Sequence, residues 1–112
     1  MAKPANHPYS RYSRDAVSLL GELIRRARIE RRLTVEGLAE RIGVSRGLIQ
    51  RIEKGDTGCT IGVVFEAAAV VGVRLFDADQ SSLTSAINAN TATLALLPRA
   101  VRLSGIKAKD NF

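Results

Sequence analysis

Residues 38–55 read LAERIGVSRGLIQRIEKG, and the spacing inside this stretch decides the fold. Ala39 falls where two short helices must cross closely, so a larger side chain there would push them apart. Gly43, four residues on, suits the positive φ that ends one helix and turns the chain toward the next. Ile49 and Ile52, six and nine residues after that glycine, share one face of the second helix and lock it onto the first. Ser45 is placed to cap the second helix and Thr34 the first.

Working outward, Ala16, Leu20, Leu23, Ile24 and Ala27 recur at helical spacing, which predicts a helix over roughly 15–31 with Asp15 as its cap. Residues 61–71, IGVVFEAAAVV, are apolar on most sides and follow Thr60, another cap candidate; such a helix is buried or shared with a partner. Gly72 ends it. Val73–Phe76 alternates and reads as a short strand, which needs a second strand that the chain does not supply; a second copy could. Between 79 and 97 two readings stand. Leu83, Ile87, Asn90, Leu94 and Leu97 step as a helix does, while Asn88, Thr91 and Thr93 weaken helix propensity. Asn90 either fixes register between helices or faces solvent. Residues 1–13 read as a flexible arm and 99–112 as a tail.

Composition narrows the function. Of the 112 residues, 46% are hydrophobic and 4% aromatic, so the core is aliphatic and a stacking platform for single-stranded nucleic acid is disfavoured. The net charge is +6. Residues 1–55 hold 12 Lys/Arg and 6 Asp/Glu, while residues 56–112 hold 5 of each, so the whole excess lies in the first half. A basic half beside a neutral one suggests a polyanion-binding surface joined to something with another job; a solubilising face is the plainer alternative. The one cysteine, Cys59, excludes an internal disulfide and fits a reduced, cytoplasmic setting. No membrane span or signal core is expected. Enzymatic readings fail on inventory. His7 is the only histidine, Cys59 has no partner base, no metal-ligand spacing exists, and no cofactor is implied.

The set of small residue, turn glycine, aliphatic anchors and caps describes a helix-turn-helix. The third helix should enter a major groove by its N-terminal end. Ser45, Arg46, Gly47 and Gln50 are the candidate base readers: a guanidinium matches guanine, an amide matches adenine, and a glycine permits close approach. Arg25, Arg28, Arg32, Thr34, Arg51 and Lys54 are the candidate phosphate contacts, although some arginines could pair instead with Glu22, Glu36 or Glu53.

The segment LLGELIRRARIERRLTVEGLAERIGVSRGLIQRIEKG (residues 19–55) resembles the lambda-repressor/Cro-type (XRE) helix-turn-helix family, through Arg25 and Arg28, LAERIGVS and IEKG. The resemblance extends over 19–72. It departs at Val35, where the family often has Gln, and at Gly37, where it often has an acidic residue, so a frequent backbone contact is missing or replaced. TIGVVFEAAAVVGVRLF, Leu97-Pro-Arg-Ala-Val-Arg102 and the closing Asp110, Asn111 and Phe112 are similar to small HipB-like antitoxins, often paired with HipA-like kinase toxins. The resemblance implies an all-α lambda-repressor-like domain whose short C-terminal strand pairs across a homodimer, with Val70, Val71, Val73, Leu75 and Phe76 at the dimer face. It implies repression of a palindromic operator and a kinase toxin as partner. The expected organisation is an arm over 1–13, a DNA-binding and dimerisation domain over 14–76, and an extension over 77–112. A stand-alone regulator, or an interaction module that has lost DNA binding, is the alternative.

Overall fold

A computed structural model describes residues 9–101 and 103 of the chain. Five α-helices follow in order: α1 Arg11–Glu30, α2 Val35–Ile42, α3 Arg46–Glu53, α4 Ile61–Val71 and α5 Gln80–Ala95, with a 3-10 turn Leu75–Asp77 between the last two. The fold is all-α among the described residues. The chain divides into two compact units at Asp77/Ala78. No helix among the described residues is long and apolar enough to cross a membrane.

In the first unit α1 packs on α3 and α4, and α2 packs on α3 and α4. The fully buried core is aliphatic: Ile24 from α1, Leu38 and Ala39 from α2, Ile49 and Ile52 from α3, and Ala67, Ala68 and Val71 from α4. The alanines on α2 and α4 let helices as short as eight residues approach closely. These helices are too short to persist alone and owe their stability to this shared face. Gly21 marks the tightest approach. A Cβ there would collide with the backbone carbonyl oxygen of Ile52, so α1 and α3 touch almost backbone to backbone.

Helix ends follow local chemistry. Thr34 Oγ1 accepts from the Gly37 N–H at 2.8 Å and Ser45 Oγ from the Leu48 N–H at 3.1 Å. Gly43 and Gly72 close α2 and α4 in the left-handed region. Thr60 sits at the N-cap of α4 but makes no side-chain capping bond.

Three expectations need correction here. First, α1 begins four residues earlier than Asp15. Ser10 is its cap, accepting from the Ser13 N–H, and Asp15 pairs one turn back with Arg11. Residues 11–13 therefore belong to the helix and not to the arm; residues 1–8 lie outside the described residues. Second, Val73–Phe76 forms no strand in the single chain. The Val73 N–H closes the end of α4 on the Ala68 carbonyl, and Phe76 and Asp77 take positive φ of 56° and 52° in the 3-10 turn. With no second strand to satisfy its backbone groups, the segment curls back onto its own carbonyls. Third, Val71 is completely buried in the chain's own core and cannot face a second copy, whereas Val70, Val73 and Leu75 are half-buried and Phe76 is 80% exposed.

In the second unit, residues 80–95 resolve as a helix. Asp79 caps it through the Ser82 N–H at 2.8 Å. None of its residues is buried, and Ile87 and Leu94 are exposed.

Candidate nucleic-acid interface

The turn at Gly43–Ser45 sets α3 across α2, with Ile49 and Ile52 inward. The opposite side of α3 then has to face solvent. It carries Ser45, Arg46, Gly47, Gln50, Arg51 and Lys54, all exposed. The structure thus brings the base-reading candidates and two phosphate candidates onto one surface. Gly47 has open space around its Cα: a Cβ there would meet only Ser45 Oγ, at 3.9 Å.

At the start of α2, Thr34 spends its hydroxyl on the Gly37 N–H and its carbonyl on the Leu38 N–H. This leaves the first amides of the helix, at Val35 and Glu36, open to an anion. Glu36 in the same first turn works against one. Gly37 fits a crowded place: a Cβ would lie 3.0 Å from Leu33 Cδ1 and 3.1 Å from Thr34 Oγ1. A side chain at this position would need Leu33 and the capping hydroxyl of Thr34 to give by a few tenths of an ångström.

Of the arginines expected on phosphate, Arg28 is in the wrong place. Its side chain is buried, donating from Nε to Glu53 Oε2 at 2.6 Å, from Nη2 to Glu53 Oε1 at 3.0 Å and from Nη1 to the Leu33 carbonyl at 2.9 Å. This two-pronged pair ties α1 to the last turn of α3 and to the loop before α2. With every prong committed, Arg28 holds the frame and does not reach DNA. Arg25 and Arg32 remain exposed. Arg32 takes a positive φ of 57° in the turn after α1, a conformation that costs a non-glycine residue about 1–2 kcal/mol.

Arg51 is exposed and engaged. Its Nε donates to Asp56 Oδ2 at 2.8 Å. That hydrogen bond, then the charge of Asp56, raise the guanidinium pKa further above its ordinary value, so Arg51 stays charged under all physiological conditions. Burial pushes the nearby Cys59 thiol up as well; Arg51 opposes that rise and Asp56 adds to it. A protonated, half-buried thiol is a poor nucleophile. Local spacing missed Asp56 because it lies past the helix end. The Gly55 turn was the one available hint, since a chain reversing there must pass back over the last turn of α3.

A model of the helix-turn-helix domain matches residues 19–79, over half of the chain. No curated protein and no solved structure matches it.

Proposed function

The chain belongs to the helix-turn-helix domain family, and from that premise we propose that it is a sequence-specific transcriptional repressor, acting in the cytoplasm as a homodimer on a palindromic operator. The observation that carries this reading is the division of α3. One side is locked into the core by Ile49 and Ile52, and the other offers Arg46, Gln50, Arg51 and Lys54 on a rigid, capped helix. Arg46 is the first base reader and Gln50 the second, with Gly47 giving room between them. Ser45 fixes the start of the helix through its cap and keeps a hydroxyl hydrogen to donate. Arg25, Arg32, Lys54 and the open amides after Thr34 are the backbone contacts. Two copies would read half-sites about one helical turn apart.

Exposed Phe76, whose ring meets that of Phe65 edge-to-face with centroids 6.3 Å apart, together with Val70, Val73 and Leu75, supports a dimer face at the end of α4. Pairing through Val73–Phe76 would require the 3-10 turn to open on association.

The finer reading is a HipB-like antitoxin that represses its own operon and holds a HipA-like Ser/Thr kinase toxin. Its support is the similarity of 97–102 and 110–112 to the tails of those proteins, although Arg102 and 110–112 lie outside the described residues. The uncharged stretch 80–98 with exposed Ile87, Leu94 and Leu97 is a surface suited to another protein.

Binding of wild type, Arg46→Ala and Gln50→Ala to duplex DNA across salt concentrations tests the DNA reading. Weak binding with one shallow salt slope in all three sinks it and favours the interaction module. Co-purification from the native host that recovers no kinase-like protein removes the antitoxin part and leaves a stand-alone regulator.

A further inference from the structure

The end of α3 is built in a way that bears on how its surface meets DNA. Gly55, at φ 79°, donates its N–H to the Ile52 carbonyl, and Asp56 donates its N–H to the Arg51 carbonyl, each at 3.0 Å. This double closure turns the chain back over the last turn of α3. It brings the Asp56 carboxylate beside Arg51. The carboxylate is itself fixed, because Oδ1 accepts from the Gly58 N–H at 2.7 Å while Oδ2 accepts from Arg51 Nε at 2.8 Å. The grip takes Nε of the guanidinium, while Nη2 lies over the same turn, 3.6 Å from where a Cβ at Gly58 would stand. Arg51 remains 52% exposed. Arg46 and Lys54, on the same surface, have no ion-pair partner among the described residues.

We propose that Asp56 is a positioning residue for the DNA-reading surface, holding Arg51 in one orientation and offsetting its charge, so that the chain gains discrimination at the expense of indiscriminate phosphate binding. The inference rests on the DNA-binding reading above. An arginine already ordered loses less rotamer freedom when it meets its phosphate or base. A carboxylate beside it weakens its pull on any phosphate met in passing. Both effects widen the gap between operator and random DNA. An exposed ion pair adds little to folding stability, so the effect belongs in binding and not in the melting curve.

The test uses the full chain as wild type, Asp56→Asn, Arg51→Ala and the double variant. The probes are the tightest duplex that wild type selects from a random pool and a scrambled duplex of equal length. Asn can keep the turn through its amide oxygen, and circular dichroism checks that it does. Asp56→Asn is expected to bind the scrambled duplex more tightly, with a log–log salt slope steeper by about one. Its selected-to-scrambled affinity ratio should fall about three- to tenfold. In the Arg51→Ala background the same change should leave the ratio where it is. A ratio unmoved by Asp56→Asn, or one that falls equally with Arg51 absent, overturns the inference while wild-type binding stands. A wild type that selects no duplex overturns the DNA reading itself, and this inference with it.

Discussion

The chain up to Asp77 and the chain beyond it are both helical, yet they reach that state differently. In the first unit the helices α2 and α3 have eight residues each, too few to hold alone, and persist because each gives one face to a common core. In the second, α5 has sixteen residues, no charged side chain and no buried one; its cap at Asp79 and a bond from Thr93 Oγ1 to the Ala89 carbonyl are local. A helix of this composition is marginal in water by itself. The first unit has its own buried core and shows charge on α3 together with an exposed apolar end at Phe76. The second carries its surplus as uncovered Ile and Leu.

The contrast can be broken most sharply at the buried ion pair. Glu53→Gln leaves the Arg28 charge buried with half its support, and should cost about 3–5 kcal/mol in denaturant unfolding. A loss below about 1 kcal/mol would mean that Arg28 swings out to solvent and can serve phosphate after all. Next, Leu38→Ala should cost about 2–5 kcal/mol, as a fully buried side chain does. Ile87→Ala, at a residue 62% exposed, should stay within about 0.5 kcal/mol. If the two costs are equal, α5 is covered in solution and light scattering should find the second copy. Arg46→Ala should reduce discrimination at one base position by about 1–3 kcal/mol with little change in melting, measured by binding to operator variants. The caps contribute less than the core. Ser45→Ala should cost about 1 kcal/mol, and Thr60→Ala less, because Thr60 makes no capping bond. Arg25→Ala should weaken all duplexes about equally and lower the salt slope by about one, with folding unchanged.

How much was legible follows the range of the interactions. Ala39, Gly43, Ile49 and Ile52 announce the bihelical unit because their spacing is local, and the caps at Thr34 and Ser45 are equally local. The rest was decided by partners that apolar spacing does not show, some of them far along the chain. Arg25, Arg28 and Arg32 look alike at three- and four-residue spacing; Glu53 is among the partners the sequence allows them, but only the fold shows that Arg28, 25 residues away, is the one it takes into the interior. Gly21 reads as an ordinary helix glycine until α3 is laid against it. Val73–Phe76 alternates like a strand, and alternation does not say whether a second strand exists. Ser10 outcompetes Asp15 as a cap because the helix keeps its hydrogen bonds back to Arg11, which apolar periodicity, beginning at Ala16, cannot see.

The contact at Gly21 has a further consequence. Because α1 meets the last turn of α3 through main chain at Ile52, and Arg28 clasps the adjoining Glu53, the attitude of that helix is set from its inner side and not by the side chains it shows to the outside. Arg46, Gly47 and Gln50 can therefore be exchanged without moving the platform that carries them. On the proposed DNA-reading role of this surface, a duplicated gene could acquire a new target by altering those three positions, with the backbone that presents them unchanged.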